Sequence, residues 1–247
     1  MEYASWAPRY EEIRREFGFP FDREERSARL LRSLLPEAAL DDPLRRISER
    51  VRGRETIVVG LGPGAGAPPL WTRSTRAGRP AVVAADGATQ PCLDAGIVPD
   101  VVVTDLDGPV ASEVTACVRG SLVVIHAHGD NADALARWVP EFSGELAGSW
   151  AGPPADGLLD VGGFTDGDRA AYLADHVGAA RILLWGFDFT QPEESEPDAR
   201  VRKLAKLRWA ARLLGELSGA GRTPVEEWRR DGSLRPYPAG PIGPATQ

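Results

Sequence analysis

The stretch DVVVTDLDG, residues 100–108, is the strongest indication of the fold class in this sequence. Its three consecutive valines form a short β-branched run bounded by polar residues, which predicts a buried strand of a parallel sheet. Asp105 and Asp107 follow the run, and Gly108 closes the turn. In open α/β sheets, ligands bind just beyond the carboxyl ends of the strands, and Mg²⁺ prefers oxygen ligands. The stretch therefore predicts a Rossmann-like sheet with a metal site at its edge.

Short apolar runs alternate with helical patterns over most of the chain. We predict strands at 56–59, 81–85, 101–103, 122–125, 158–161 and 181–185, and a further short strand near 145–150. We predict helices at 89–95, 112–119, 131–138, 168–177 and 199–217. Alternation of this kind predicts an α/β fold with a mostly parallel, Rossmann-like sheet flanked by helices.

Composition divides the chain into three segments. Residues 1–52 are charged and amphipathic and are interrupted at prolines, which predicts an N-terminal helical extension. Residues 53–234 hold the predicted α/β domain, and the Pro/Gly-rich residues 235–247 predict a flexible tail. Residues 191–198 are acidic and contain prolines, so we predict a solvated loop that is either a connector or a lid.

Charge and cysteine content limit the classes of binding partner and the cellular compartment that the sequence predicts. The 29 Lys and Arg against 36 Asp and Glu give a net charge of -7, which argues against nucleic acid and favours small-molecule substrates. Cys92 and Cys117 have no metal-type spacing and predict reduced thiols in a cytoplasmic protein. The apolar runs are too short to span a bilayer, so we expect no membrane partner. Composition leaves a homo-oligomer open.

Glycine and polar residues follow the first two predicted strands, and parallel strands would bring these residues to one edge of the sheet. The sequence GLGPGAG, 60–66, offers backbone amides to a phosphate or simply forms a tight turn. The sequence DGAT, 86–89, offers a carboxylate to a ribose and a hydroxyl to a phosphate, or caps the next helix. We predict nucleotide contacts from Gly60, Gly62, Gly64, Asp86, Gly87, Ala88 and Thr89.

Two pairs of carboxylates have the same spacing. We assign Asp105 and Asp107 to a metal, because two ionised groups beside a buried strand need a partner. Asp166 and Asp168 repeat the spacing in TDGD, and we predict that they join the metal set. A calcium loop is the alternative for this second pair, but the run lacks the later ligands of such a loop.

The sequence HAHGDN, 126–131, holds two of the three histidines. Zinc is one interpretation, although zinc sites normally have three or four protein ligands, and we favour hydrogen bonds to substrate or phosphate. In GFDF, 186–189, the aspartate is suited to the donor edge of a flat heterocycle, whereas the phenylalanines are equally suited to packing. We predict substrate contacts from His128, Asp130, Asn131, Thr165 and Asp188.

Lys203 and Lys206 are the only lysines in a chain whose other basic residues are arginines. They lie three residues apart, so a helix would present them on one face. We predict that they neutralise phosphate charge in a reaction, with chance placement on a helix surface as the alternative. Together with Asp105 and Asp107 they form the predicted catalytic set.

Six blocks of the sequence recur in one known family. They are ADGAT (85–89), GIVPDVVVTDLDG (96–108), HAHGDN (126–131), GGFTDGDRA (162–170), GFDF (186–189) and KLAKL (203–207). In this order, the blocks resemble the archaeal 6-hydroxymethyl-7,8-dihydropterin pyrophosphokinases, which are related in fold to thiamin pyrophosphokinases. The chain departs from the family pattern at residues 62–64, where Gly-Pro-Gly stands in place of a Gly-Pro-Ser type of loop. The likeness extends to domains of proteins connected with flagellin glycosylation.

The resemblance implies transfer of the β,γ-diphosphate of ATP to the hydroxymethyl oxygen of the pterin, with release of AMP, in tetrahydrofolate or methanopterin biosynthesis. It implies Mg²⁺ held by Asp105 and Asp107, with help from Asp166 or Asp168, and lysines that stabilise the developing charge. The alternatives are a thiamin pyrophosphokinase, a non-catalytic nucleotide-binding module and a glycosylation-related domain.

Overall fold

Fully buried runs of valine and alanine form the centre of the sheet. In the computed structural model, which describes residues 3–63, 65–69, 78–192 and 196–240, every residue of three central strands is buried. These strands are β2 (Ala81–Ala85), β3 (Val101–Thr104) and β4 (Leu122–Ala127). Strands carry such continuous apolar runs when helices cover both faces of a sheet. The predicted fold class is confirmed.

The remaining strands are β1 (Glu55–Val59), β5 (Leu146–Trp150), β6 (Leu158–Leu159), β7 (Arg181–Trp185), β8 (Val225–Trp228) and β9 (Leu234–Pro236). Within the described ranges, the sheet has nine strands in the order β6-β5-β4-β3-β2-β1-β7-β8-β9. Neighbouring strands are parallel except β8 and β9, which are antiparallel. All seven predicted strands exist, whereas β8 and β9 were not predicted, because neither segment contains an apolar run.

The helices are α1 (Tyr3–Phe17), α2 (Phe21–Leu34), α3 (Glu37–Leu40), α4 (Pro43–Val51), α5 (Thr89–Asp94), α6 (Val110–Val118), α7 (Ala132–Trp138), α8 (Asp166–His176) and α9 (Pro197–Ala220). Alternate strand residues face opposite layers. Val101 and Val103 pack with residues of α1, α4, α8 and α9, whereas Val102 packs with residues of α2, α6 and α7. The sheet is therefore covered by helices on both faces. No helix in the described part of the chain combines the length and the apolar character that crossing a membrane requires.

The N-terminal helices belong to the same core as the sheet. Trp6 of α1 is buried beside Tyr172 of α8, and its indole nitrogen donates to the carbonyl of Ala151 at 3.0 Å. On the opposite face, Leu31 of α2 is fully buried with residues of β4 and β5. The helical extension thus packs onto the α/β sheet, and its treatment as a separate domain stays a prediction.

Residues 235–240, the described part of the predicted flexible tail, pack against the rest of the chain. Leu234–Pro236 forms β9, Tyr237 is buried, and the Ser218 hydroxyl donates to the Tyr237 carbonyl at 2.8 Å. The Gly240 amide donates to the Gly215 carbonyl at 3.0 Å. Proline is tolerated in an edge strand, so a Pro-rich composition does not exclude one. Residues 241–247 of the predicted tail lie outside the described residues.

The order in which the strands are added to the sheet switches sides at β1. The connection from β1 leads to β2 on one side, and the chain later returns to β7 on the other side of β1. In open α/β sheets such a switch point creates a crevice at the carboxyl ends of the strands, where ligands bind. Residues 60–63 after β1 and the GFDF segment after β7 line this crevice.

Candidate active site

A cleft of about 290 Å³ lies at the carboxyl ends of β1, β2, β3 and β7. It joins groups that are far apart in sequence, because parallel strands end at the same edge of the sheet. The predicted site residues that line it are Gly60, Gly62, Asp86, Gly87, Asp105, Asp107, Thr165, Asp166, Asp188, Lys203 and Lys206. The structure therefore gathers most of the predicted residues into one site.

Three carboxylates converge in this cleft. One oxygen atom each from Asp86, Asp105 and Asp107 lies within 4.8 Å of the others. Asp86 has a φ of 43° and Leu106, between the other two aspartates, has a φ of 66°. Such left-handed conformations are disfavoured in residues other than glycine and concentrate at functional sites. The three aspartates form an oxygen donor set suited to Mg²⁺, although we predicted a ribose contact for Asp86.

The negatively charged carboxylates in the cleft repel one another. Partial burial and the charge of Asp105 raise the pKa of Asp107, whose side chain still reaches solvent. Burial, with the charges of Asp105 and Asp86, raises the pKa of Asp166 well above its usual value. Burial also acts to raise the pKa of Asp105, but hydrogen bonding and charge from His128 lower it overall. A cation in the cleft would relieve this repulsion.

Two lysines on α9 face the acidic groups. Lys203 and Lys206 both line the cleft, and the charge of Lys206 acts to lower the pKa of Asp107. The Lys206 ammonium lies 6.0 Å from the centre of the Phe164 ring, within the range of a cation–π contact. The helix thus brings both lysines to the carboxylates, as their spacing suggests, and their catalytic role stays a prediction.

The first glycine segment approaches the loop after β7 closely. The amide of Gly60 donates to the carbonyl of Trp185 at 2.8 Å, and that of Gly62 donates to the carbonyl of Gly186 at 2.6 Å. A Cβ atom at Gly62 would lie 2.7 Å from the Gly186 carbonyl oxygen, so only glycine fits there. These two amides are occupied, which corrects the expectation that they bind phosphate. Gly64 lies outside the described residues.

Two residues of the DGAT segment do not reach the cleft. Ala88 and Thr89 are fully buried at the start of α5, behind Gly87, and the Thr89 hydroxyl has no hydrogen-bond partner. The predicted contacts of Ala88 and Thr89 with a nucleotide therefore do not agree with their positions. The sequence pattern did not reveal that Ala88 and Thr89 are buried.

Asp168 stabilises the start of α8 instead of facing the cleft. It is fully buried, and its carboxylate accepts from the backbone amides of Phe164 at 2.6 Å and Thr165 at 2.8 Å. The Thr165 hydroxyl also donates to this carboxylate. Both oxygens are used at the helix terminus, where backbone amides lack partners within the helix. We therefore omit Asp168 from the metal set.

Asn131 connects two loops and is not available to a substrate. Its side-chain amide donates to the carbonyls of Asp105 and His126, both at 2.8 Å, and its oxygen accepts from the His128 amide at 3.0 Å. Asn131 is also buried, so these contacts fix the loop after β4 against the loop after β3. This positioning role corrects the predicted substrate contact.

The remaining predicted substrate residues lie on different sides of the cleft. His128 Nε2 lies 3.4 Å from Asp105 Oδ2, and both His128 and Asp130 line a smaller adjoining cavity. Asp188 accepts at one oxygen from the Thr190 amide at 2.8 Å and the Thr190 hydroxyl at 2.7 Å. Asp188 also borders a cavity of about 410 Å³ beside β7 and β8, so it stands between two open spaces.

Glu113 is a buried carboxyl group beside the cleft that the sequence pattern did not predict. Glu113 of α6 is fully buried, and burial together with the neighbouring Asp86 raises its pKa to about 9. A glutamate inside a helix usually faces water. The only signal in the sequence is that its neighbours in VASEVTACV are apolar or small. Glu113 therefore adds a proton-bearing group behind Asp86.

Carboxylates and lysines that converge in one cleft at the edge of a parallel sheet are typical of α/β enzymes that bind phosphate groups together with a metal ion. A sequence profile of the family described as 6-hydroxymethylpterin diphosphokinase, MptE-like, matches residues 33–194. The chain belongs to this family.

Curated relatives match nearly the whole chain. A protein of Pyrococcus furiosus is 39% identical over 239 residues, covering 92% of this chain and 99% of the relative. A protein of Methanothermobacter thermautotrophicus is 37% identical over 238 residues, covering 92% and 100%. A protein of Methanocaldococcus jannaschii is 34% identical over 233 residues, covering 88% and 96%. All three are named 6-hydroxymethyl-7,8-dihydropterin pyrophosphokinase. The resemblance stated from the sequence blocks is confirmed.

Proposed function

We propose that the protein transfers the β,γ-diphosphate of ATP to the hydroxymethyl oxygen of 6-hydroxymethyl-7,8-dihydropterin, in a reaction that requires Mg²⁺. The convergence of Asp86, Asp105 and Asp107 beside Lys203 and Lys206 is the observation that carries the proposal. The name shared by the three relatives supports the choice of acceptor. The product would serve pterin biosynthesis leading to tetrahydrofolate or methanopterin.

The proposed transfer exchanges one phosphorus–oxygen bond for another. The hydroxymethyl oxygen bonds to the β-phosphorus, and the bond from that phosphorus to the oxygen bridging the α and β phosphates breaks. AMP leaves with the bridging oxygen, and the hydroxyl proton passes to water or to a phosphate oxygen. Such transfers depend on alignment and on charge stabilisation, so we assign no strong general base.

The donor set is suited to Mg²⁺, because three carboxylate oxygens converge and their mutual repulsion favours a cation. Asp86, Asp105 and Asp107 would hold the ion, and Asp166 lines the same cleft. Bound there, the ion would reduce the negative charge on the phosphate oxygens. Lys203 and Lys206 would stabilise the charge that develops on the phosphates, and Asn131 keeps the Asp105 loop in position through its 2.8 Å hydrogen bond.

Product analysis tests the proposal. Purified protein is incubated with ATP, Mg²⁺ and 6-hydroxymethyl-7,8-dihydropterin, with thiamin in a parallel reaction, and the products are identified by mass. We expect AMP and a diphosphorylated pterin, and no product when a chelator removes the metal. Thiamin diphosphate would instead support the thiamin enzyme. ATP binding without AMP formation would support a nucleotide-binding module or a glycosylation-related domain.

A further inference from the structure

A cavity of about 70 Å³ adjoins the acidic cleft beneath the N-terminal helices. It shares Asp105, Phe164 and Lys206 with the cleft, so the two spaces meet beside the carboxylates. Its other walls include residues of α1 and α2 and the histidines around the end of β4. A molecule in this cavity would therefore lie next to the proposed reaction centre.

Aromatic rings form much of the cavity wall. Trp6 and Tyr10 of α1 stack with their ring centres 6.4 Å apart and their planes at 24°. Phe19 and Phe164 lie on the same cavity with ring centres 6.4 Å apart. Aromatic walls of this kind favour a flat, unsaturated ring system as ligand.

Two polar atoms in the wall are buried without a hydrogen-bond partner. Tyr10 is 6% exposed and its hydroxyl is unpaired, and Arg169 is 4% exposed and its Nε atom is unpaired. The other guanidinium nitrogens of Arg169 donate to the carbonyls of Gly163 at 2.8 Å and Phe164 at 3.1 Å, which fixes the group. Proteins pair nearly all buried polar atoms, so two unpaired atoms on one cavity indicate a polar ligand.

A buried carboxylate completes the wall. Glu24 of α2 is 4% exposed and faces the same cavity, whereas its neighbour Glu25 forms an ion pair with Arg29 on the surface. Burial raises the pKa of Glu24, and hydrogen bonding from the Gly129 backbone partly opposes this rise. A buried carboxylate is costly unless donors surround it, so Glu24 is suited to a ligand with adjacent N–H groups.

We propose that this cavity holds the pteridine ring of the acceptor and that Glu24 accepts hydrogen bonds from its 2-amino-4-oxopyrimidine edge. The inference rests on the proposed function. The ring and exocyclic N–H groups of that edge form two parallel hydrogen bonds with one carboxylate, as an arginine does. The opposite end of the pterin, which carries the hydroxymethyl group, then points to Asp105. Glu24 and Tyr10 make the N-terminal helices the element that selects the acceptor.

The cavity is smaller than a pteridine ring, so side chains must rotate when the ligand binds. Phe19 and Phe164 are only partly buried, and Lys206 lies at the junction with the cleft. Rearrangement of side chains at a binding surface is common even where the backbone stays fixed. The acceptor therefore enters from the cleft, past these three residues.

Calorimetric titration of 6-hydroxymethyl-7,8-dihydropterin tests the assignment. It is performed with and without Mg²⁺ and α,β-methylene-ATP, whose methylene bridge prevents transfer. For Glu24→Gln we expect Kd to rise at least about tenfold, whereas Glu25→Gln on the same helix should leave it unchanged. Affinity for the ATP analogue should stay the same in both variants, because Glu24 lies outside the cleft lining.

An analogue with oxygen in place of the 2-amino group, 6-hydroxymethyl-7,8-dihydrolumazine, gives a second readout. We expect wild type to bind it more weakly than the pterin, and Glu24→Gln to lose most of that discrimination. Equal pterin affinity in wild type and Glu24→Gln would overturn the assignment and leave the proposed function intact. A wild type that binds no dihydropterin would overturn both.

Tyr10→Phe is the second variant, in case Glu24→Gln does not fold. It removes only the unpaired hydroxyl and keeps the ring that stacks on Trp6. We expect weaker pterin binding with an unchanged thermal midpoint. Unchanged pterin binding in Tyr10→Phe would contradict the assignment.

Discussion

Asp107 lies beside two other carboxylates, Asp105 and Asp86, in the proposed metal site. Asp107→Asn keeps the shape of the side chain but removes one charged ligand, and Asp105→Asn does the same on the other side of the turn. We expect turnover to fall at least about tenfold in either variant, which corresponds to about 1.36 kcal/mol in the barrier. Steady-state rates at saturating ATP and Mg²⁺ are the measurement.

The exposed Asp133 of α7 provides a matched control. Asp133→Asn should turn over at the wild-type rate, and all three variants should show the circular dichroism spectrum of the wild type. Wild-type turnover in folded Asp105→Asn or Asp107→Asn would show that the carboxylate in question does not hold the metal.

The crowding of carboxyl groups also predicts how pH and Mg²⁺ affect stability. Asp107, Asp166 and Glu113 have pKa values raised above the usual range by burial and by neighbouring carboxylates. A carboxyl group whose pKa is higher in the folded state binds an extra proton there, so its contribution to stability falls as pH rises between the unfolded and folded pKa values. We expect Mg²⁺ to raise Tm more at about pH 8 than at about pH 5, since at the lower pH protons already relieve the repulsion.

Thermal melts with and without Mg²⁺ at the two pH values measure this difference. Asp107→Asn should melt no lower than wild type without metal and should lose part of the Mg²⁺-dependent shift. An equal or larger shift at the acidic pH would mean that the three aspartates do not form the cation site.

The basic side chains of α9 lie in different surroundings. Lys203 and Lys206 line the cleft, whereas Arg208 is exposed and Arg202 lies over the rings of Phe17 and Phe19. We expect Lys203→Ala and Lys206→Ala to lower kcat more than Arg202→Ala, because the lysines would stabilise charge only during transfer. Single-turnover rates of the variants provide the comparison.

Arg208→Ala is the cleaner control, because Arg202 also contributes to aromatic packing. The kcat of Arg208→Ala should equal that of wild type. If the lysine and arginine variants lost activity to the same extent, Lys203 and Lys206 would have no specific catalytic role.

The turn after β3 depends on the absence of a side chain at Gly108. A Cβ atom there would lie 2.3 Å from a carboxylate oxygen of Asp86. Gly108→Ala should therefore displace Asp86, weaken Mg²⁺ binding and lower activity while the fold persists, because only the end of one side chain must move. Gly66→Ala is the control, since a Cβ atom there meets no atom within 4 Å. Equal Mg²⁺ affinity in both variants would contradict this role of Gly108.

The strands and the strand ends were predictable because they follow local rules. Val101 to Val103 are buried on both faces of the sheet, and the aspartates after them lie where parallel strands place ligands. The hydrogen-bond partners of Asn131 and Asp168 were not predictable, because they depend on how loops fold. Asn131 contacts the backbone of Asp105 in a loop distant in sequence, and Asp168 contacts the backbone of Phe164 just before its own helix. The cavity beneath α1 and α2 was missed for the same reason, since it forms only when the extension packs on the sheet.

Helix α1 is held to α9 by polar contacts as well as by its buried face. Arg9 pairs with Glu216 at 2.9 Å, and Arg212 pairs with Glu12 at 2.9 Å. The indole nitrogen of Trp209 donates to Glu16 at 2.7 Å. Exposed ion pairs contribute little to stability on their own, so the buried residues of α1 supply most of the attachment.

This attachment predicts that the N-terminal helices and the sheet unfold together. Trp6 is 1% exposed and packs on Tyr172, so α1 cannot detach without opening the core. We expect urea unfolding followed by circular dichroism and by tryptophan fluorescence to give coincident single transitions. Trp6→Ala should lower the free energy of unfolding by about 3–5 kcal/mol and keep the transition single. Two separate transitions, with α1 released first, would contradict this prediction and would make residues 1–52 an independent domain. The sheet would then fold without the helices that enclose the proposed pterin cavity.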